Sequence, residues 1–255
     1  MFPNLNDIYN VDPVDPNFIF SWEFPTKPGI GCNTMNKDDT GNFLLFLKEL
    51  RQDPQGRNLT LSAATSINPF PGSDGKPLGN VSDFAKVLDY IEIMNYDIWG
   101  PWSPSGQVGP NAPFNDTCAA TQNQAGSAVS AVNNWYMAGM PLEQILLGVP
   151  AYGHSFMVDK LDAFTPGSNN LAPYPKFNPY AHPKGDSWDN STGVDVCGNT
   201  EHFGGTITMW GLIKFGYLNQ DGTPKKGIFY RYDNCSQTVS FLPYVLLSQF
   251  SPPLA

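Results

Sequence analysis

The chain has 255 residues, of which 41% are hydrophobic and only 15% are charged, so it can bury a sizeable core. This composition excludes a disordered tail and a coiled coil. The 23 acidic residues outnumber the 14 basic ones and give a net charge of −9, and no lysine or arginine cluster is available to follow phosphates. Nucleic acids and membranes are therefore not expected partners.

The cysteines and the glycosylation motifs point to an oxidising compartment. The four cysteines include no closely spaced pair, and the three histidines are not near them at zinc-binding spacing, so we expect no metal and no cofactor. Asn-x-Ser/Thr motifs are typical of secreted glycoproteins. They begin at Asn58, Asn80, Asn115, Asn190 and Asn234. The first 30 residues have neither a basic segment nor a sustained apolar one, so a signal peptide is not expected among them.

Four apolar strands are predicted to alternate with helices. The strands cover residues 17–23, 59–65, 90–96 and 145–152, and helices are expected after residue 38, after residue 82 and around residues 128–136. This order predicts a parallel α/β sheet covered on both faces.

The regular alternation of predicted strands and helices ends after residue 153, where short segments rich in aromatic residues and proline begin. Residues 155–235 favour a separate α+β module with a helix near residues 205–215, whereas residues 236–255 form a tail that fits neither pattern. The predicted domains are therefore 1–154, 155–235 and 236–255.

Functional side chains are expected where the strands end, since the loops there vary on a rigid scaffold. Glu23, Asp97 and Tyr152 lie at the ends of three predicted strands. A carboxyl that follows an apolar strand suits a general acid, with a second carboxyl to orient the substrate. The alternative is that Glu23 merely caps the following loop.

Three segments in chain order resemble a known family. Residues 21–25 (Ser-Trp-Glu-Phe-Pro), 94–97 (Met-Asn-Tyr-Asp) and 148–153 (Gly-Val-Pro-Ala-Tyr-Gly) are similar to the motifs of strands four, six and seven in family 18 glycoside hydrolases, the chitinases, especially the fungal ones. The resemblance implies an incomplete (β/α)8 TIM barrel of strands four to seven, with an α+β insertion after strand seven and truncation at both ends. It also implies an extracellular, monomeric glycosidase.

The resemblance assigns the chemistry to three residues. Glu23 would be the general acid that protonates the glycosidic oxygen and later acts as the base. Tyr96 would hydrogen-bond the acetyl carbonyl, and Asp97 would hold the distorted sugar opposite Glu23. The reaction implied is retaining, substrate-assisted hydrolysis of chitin or other β-1,4-linked N-acetylglucosamine oligosaccharides.

Five further residues are candidates for substrate binding. Met94 and Tyr152 would wall the site, and Ser21 would face the acid. Trp99 and Trp102 would stack on sugar faces, but packing on the barrel rim explains these two tryptophans equally well.

The sequence departs from the family at the catalytic strand. Pro16, Ile19 and Ser21 occupy the positions of the three motif aspartates, and a serine supplies no charge to stabilise a cationic intermediate. Losing one such electrostatic contact typically costs about a hundredfold or more in rate, so low activity is expected. A catalytically silent, lectin-like chitin-binding protein and a non-functional fragment remain the alternatives. A nucleotide-binding protein is disfavoured, because no strand leads into a glycine-rich phosphate loop.

The four cysteines allow three different disulfide pairings, and the sequence alone does not fix which of them forms. Cys197 and Cys235 both fall in the insertion and form the preferred pair. Cys32 and Cys118 follow two barrel strands and could meet above the site.

Overall fold

The computed structural model describes residues 17–29, 32–242 and 246–248. These residues form two compact units. The first takes in the described residues up to Met94 together with Val132–Leu147, and the second takes in Asn95–Ala131 and the described residues from Gly148 onward. None of the described helices is long and apolar enough to cross a membrane.

The first unit is built on a four-stranded parallel sheet. Its strands are β1 (Asn17–Phe20), β2 (Thr60–Thr65), β3 (Tyr90–Ile93) and β4 (Ile145–Leu147), and they pair in chain order. The helices are α1 (Asp39–Gln52), α2 (Ser82–Ala85) and α3 (Ala128–Met137), of which the part from Val132 belongs to this unit. The predicted alternation of parallel strands and helices is confirmed.

Aromatic packing forms the core between the helices and the sheet. Phe43 of α1 contacts the rings of Phe70 and Phe84, and the Phe70 ring meets the fully buried Trp135 edge-on with centroids 5.1 Å apart. Burying one such side chain contributes about 1.5–3 kcal/mol relative to leaving it exposed. The apolar residues that α1 buries recur at helical spacing. They are Phe43, Leu47 and Leu50.

The second unit contains a five-stranded antiparallel sheet. Its strands are β5 (Tyr152–Phe156), β8 (Thr206–Thr208), β9 (Phe229–Asp233), β10 (Thr238–Leu242) and β11 (Leu246–Ser248). They are arranged in the order β8-β5-β11-β10-β9. A two-stranded ribbon of β6 (Gly193–Val194) and β7 (Thr200–Glu201) and two helices, α4 (Lys160–Ala163) and α5 (Met209–Lys214), complete it. Helix α5 lies where the sequence predicts one.

The predicted strand 145–152 is wrong in its extent. Strand β4 ends at Leu147, and Tyr152 instead begins β5 in the antiparallel sheet. Gly148 weakens an extended segment, and Pro150 has no N–H to donate to a ladder, so the strand does not continue past Leu147.

The expected disulfide pairing is also wrong. Cys118 is bonded to Cys235 with their Cα atoms 6.3 Å apart, which overturns both the Cys197–Cys235 and the Cys32–Cys118 pairs. None of the four cysteines is a free thiol.

Cys118 reaches Cys235 because the turn before β10 lies against the loop that precedes α3, where the amide of Phe114 donates to the carbonyl of Ser236. Residues 238–242, which the sequence left without an element, form β10.

Candidate functional site

Glu23 lies just beyond the end of β1, in an exposed loop. The strand ends at Phe20, and a turn closes where the amide of Lys27 donates to the carbonyl of Phe24 over 3.1 Å. The hydroxyl of Ser21 donates to Oε1 of Glu23 over 2.7 Å, so the carboxyl group lies back over the strand end. Ser21 thus contacts the predicted acid directly, but with a neutral donor.

An open cavity surrounds this carboxyl group. It measures about 490 Å³ and is lined by Ser21, Trp22, Glu23, Lys27, Pro28, Asn33 and Thr34. The lining is mostly polar, and Trp22 contributes an aromatic face that is 40% exposed. A cavity of this size accommodates one sugar ring and its substituents.

Met94 lies at the end of β3 in the same unit. Its amide donates to the carbonyl of Thr65 over 2.8 Å, which extends the pairing of β2 and β3 by one residue. The side chain is half-buried.

Asp97 is the centre of a hydrogen-bonded cluster in the second unit. Its Oδ1 accepts from the hydroxyl of Tyr152 and lies 2.8 Å from Nε2 of His154. Because an ionised carboxylate can only accept, Nε2 is the donor of the second bond. The ring of Tyr96 meets that of Tyr152 edge-on, with centroids 6.2 Å apart. The structure therefore brings together three of the predicted residues, Tyr96, Asp97 and Tyr152.

The cluster shifts the pKa values of its members. Burial by itself raises the pKa of Asp97, but the hydrogen bonds from His154 and Tyr152 outweigh burial and hold this pKa below its ordinary value. Burial, reinforced by the negative charge of Asp97, raises the pKa of the Tyr152 hydroxyl. Asp97 is thus kept as an anion that accepts hydrogen bonds, and Tyr152 as a neutral donor.

Two positioning residues of this cluster were missed by the sequence analysis. Asn111 is fully buried, and its side chain accepts from the amide of Asp97 and donates to the carbonyl of Tyr152. These two hydrogen bonds hold the backbone of Asp97 in its left-handed conformation at φ +58°. His154 is 4% exposed and stands two residues after Tyr152 on β5.

A sequence signal existed for only one of them. Alternation along a strand places His154 on the same face as Tyr152, but the predicted strand stopped at Tyr152. Asn111 lies in a proline-rich loop without any periodic pattern.

The two candidate tryptophans have different surroundings. Trp99 is 5% exposed and packs against Tyr174, whereas Trp102 is 58% exposed and meets the His154 ring edge-on at 5.1 Å. The indole of Trp102 lies directly over Gly100, where a Cβ atom would collide with the ring. Burial favours the packing interpretation for Trp99 and leaves Trp102 with a face that a ligand can reach.

Comparison with known proteins identifies the family. The model of glycosyl hydrolases family 18 matches residues 4–249. The chain belongs to family 18 of the glycosyl hydrolases. The predicted resemblance is confirmed, and the family accounts for the mixed α/β fold.

The relatives extend this assignment. The chain is 55% identical over 238 residues, 93% of its length, to a "chitinase-like effector" of Moniliophthora roreri, and 54% identical over 85% of its length to one of Moniliophthora perniciosa. It covers 55% and 49% of these relatives, so it spans about half of their length. Among solved structures, a chitinase from Rhizomucor miehei superposes with a TM-score of 0.82 at 28% identity, over 97% of this chain and 65% of that one.

Proposed function

We propose that this protein binds N-acetylglucosamine oligosaccharides, the units of chitin, at a chitinase-type site whose hydrolytic step is strongly impaired. The parallel sheet of the first unit would then be part of a (β/α)8 barrel, and the second unit would include the α+β insertion of family 18. The observation that carries the proposal is the bond from Ser21 to Glu23, a neutral hydroxyl at the place where family members have a carboxylate.

Impaired hydrolysis follows from charge. In the substrate-assisted reaction the acetamido oxygen attacks the anomeric carbon, and positive charge develops on the ring that forms. A carboxylate beside the acid stabilises that charge, whereas the hydroxyl of Ser21 and the alkyl chain of Ile19 do not. Glu23 is retained, so slow proton transfer to the leaving oxygen stays chemically feasible.

Binding is supported by the cluster around Asp97. Its carboxylate is kept ionised as an acceptor, and the exposed indole of Trp102 offers the kind of flat amphipathic surface on which a sugar ring stacks. Tyr96 would donate to the acetyl carbonyl, as the family resemblance implies. The names of the two Moniliophthora relatives, which combine likeness to chitinases with an effector role, agree with a function other than rapid degradation.

An extracellular location is part of the proposal. Four of the five glycosylation motifs have an exposed asparagine, and the cysteines are oxidised. The exposed asparagines are Asn58, Asn80, Asn190 and Asn234.

Isothermal titration with chitin tetrasaccharide tests the binding. We expect saturable binding of the acetylated sugar and at least tenfold weaker binding of cellotetraose, which has the same β-1,4 backbone without acetamido groups. Equal affinity for the two sugars, or no heat with either, would contradict the proposal. Asp97→Asn serves as the site control and should weaken binding of the acetylated sugar.

A further inference from the structure

A small cavity lies on one face of the antiparallel sheet in the second unit. The register pairs Arg231 of β9 with Ser240 of β10, and Asp233 with Thr238, so these four side chains share one face. All four residues line the cavity. It offers about 40 Å³ to water-sized groups, whereas one water needs about 10–15 Å³ on the same measure. The cavity therefore has room for a substituent of a few non-hydrogen atoms, but not for a sugar ring.

A second wall of the cavity is fixed by the pairing of two loops. Val108, Tyr174 and Pro175 line this wall. The side chain of Gln107 donates to the carbonyl of Tyr174 over 2.9 Å, and the amide of Val108 donates to the carbonyl of Pro175 over 2.8 Å. The Tyr174 ring also packs against Trp99 with centroids 5.4 Å apart. Because these contacts hold the wall, the cavity is preformed, and binding would order few additional groups.

Two side chains at the cavity have hydrogen-bond donors to spare. The hydroxyl of Tyr174 meets no acceptor among the residues that the structure describes. Burial and the negative charge of Asp233 raise the pKa of this hydroxyl, so it stays a neutral donor. Arg231 donates from Nη2 to Oδ2 of Asp233 over 3.5 Å, which is long for a hydrogen bond. The other N–H groups of this guanidinium can therefore serve a further acceptor.

The carboxylate of Asp233 contributes an acceptor. Its Oδ1 accepts from the amides of Cys235 and Ser236 and from the hydroxyl of Ser236. Within the described part of the chain, its Oδ2 receives only the long bond from Arg231. A ligand with an N–H group can donate to this oxygen.

The charges at the cavity favour a neutral ligand. Arg231 and Asp233 offset each other, and Asp116 adds a negative charge that also acts on the Tyr174 hydroxyl. This surplus would repel an anion, whereas a cation would compete with Arg231 for the carboxylate. A neutral group that both accepts and donates hydrogen bonds meets neither obstacle.

We propose that this cavity binds the acetamido group of an N-acetylated sugar and is a site separate from the Asp97 cluster, with which it shares no residue. The carbonyl oxygen would accept from Tyr174 and Arg231, and the N–H would donate to Oδ2 of Asp233. The methyl group would lie against the buried Pro175. A secondary amide is neutral and has one donor and one acceptor, which match the groups available. The sugar ring would stay at the open mouth of the cavity.

A sugar is favoured as the carrier of this group. An acetylated lysine presents the same secondary amide, but the chain belongs to a family of glycosyl hydrolases. The two carriers can be separated by experiment.

Saturation-transfer NMR tests the cavity in Asp97→Asn, in which the proposed oligosaccharide site is weakened. N-acetylglucosamine should bind, and its acetyl methyl group should receive more saturation than its ring protons. Raising the salt concentration should not weaken this binding, because the ligand is neutral. Glucose should bind at least tenfold more weakly. Equal binding of glucose would overturn the acetamide assignment, and tighter binding of Nε-acetyllysine would overturn the sugar.

Two substitutions added to Asp97→Asn locate the bound sugar. Tyr174→Phe removes the hydroxyl and keeps the ring, so it should weaken N-acetylglucosamine about fivefold. Ser240→Val fills part of the cavity with methyl groups, on a residue type suited to a strand, and should abolish measurable binding. Tyr180→Phe makes the matched change at an 89% exposed tyrosine of the second unit and should have no effect.

The two proposals fail in different ways. If the unmodified protein does not bind chitin tetrasaccharide, the proposed function is wrong, and the cavity is judged by the monosaccharide alone. If N-acetylglucosamine does not bind to Asp97→Asn, or if Tyr174→Phe and Ser240→Val bind it as well as Tyr180→Phe does, the cavity is not an acetamide site. The proposed function is unaffected by that result.

Discussion

Glu23 and Asp97, the two carboxyl groups that the family resemblance singles out, have very different surroundings. Glu23 is exposed on a loop and takes one hydrogen bond from a neighbouring serine, whereas Asp97 receives bonds from two aromatic side chains and is bracketed by the buried Asn111. Under the proposed function, this contrast separates a preformed binding cluster at Asp97 from an acid, Glu23, whose hydrogen-bond partner Ser21 carries no charge. The predictions below test this contrast.

The largest effect is expected from restoring a charge beside Glu23. Ser21→Asp should raise the hydrolysis rate of chitin tetrasaccharide by about a hundredfold, because a carboxylate can stabilise the developing positive charge. Ser21→Asn has the same shape without the charge and should leave the rate unchanged. An equal gain in both variants, or no gain with aspartate, would remove charge as the explanation.

Removal of Asp97 should destabilise the second unit. Asp97→Ala leaves Nε2 of the buried His154 without an acceptor and strains the backbone at φ +58°, so we expect a loss of about 2–3 kcal/mol in the free energy of unfolding. Asp97→Asn keeps an acceptor and tolerates this backbone conformation, and should cost about 1 kcal/mol. Urea denaturation of the unmodified protein, Asp97→Ala and Asp97→Asn measures both losses in the free energy of unfolding. Equal stability of all three would mean that the cluster is not structural.

A smaller effect is expected at the exposed tryptophan. Trp102→Ala should weaken binding of the acetylated tetrasaccharide about tenfold, or ~1.4 kcal/mol, through loss of a stacking surface. Trp188, also exposed and in the second unit, provides the matched control, and Trp188→Ala should not change the affinity. If both substitutions weaken binding alike, stacking at Trp102 is not the cause.

The smallest effect is a pH dependence of stability. The pKa of Asp97 is lower in the folded than in the unfolded state, so its contribution is complete above about pH 4 and is lost as the pH falls through the folded value. The difference in melting temperature between the unmodified protein and Asp97→Asn should therefore shrink below pH 4. A difference that is constant from pH 2.5 to 7 would contradict the assigned hydrogen bonds.

The sequence predicted the parallel sheet well because its signals are local. Continuous apolar segments such as 60–65 and helix-spaced residues such as Phe43 and Leu47 report directly on burial. Gly148 and Pro150 are themselves signals that end a strand, but the apolar residues around them favoured a continuous strand over 145–152. The Cys118–Cys235 pair could not be predicted, since it depends on how a long loop meets a turn 117 residues away.

The site was predictable where strand ends or family motifs mark it. Asp97 and Tyr152 were indicated by both and Tyr96 by a motif, and the structure places these three side chains next to one another. Asn111 acts through tertiary contacts, which no local pattern encodes, whereas strand alternation from Tyr152 could have indicated His154. The position of Glu23 opposite Tyr96 and Asp97 stays a prediction.

The state of a bound sugar tests the central claim most directly. Chitin tetrasaccharide is incubated with an equal amount of protein, at a concentration where titration shows it bound, and the sugar is then analysed by mass spectrometry. The account predicts that the tetrasaccharide is bound and recovered largely intact after several hours. Complete cleavage within minutes, abolished by Glu23→Gln, would show instead that the hydrolytic step is not impaired.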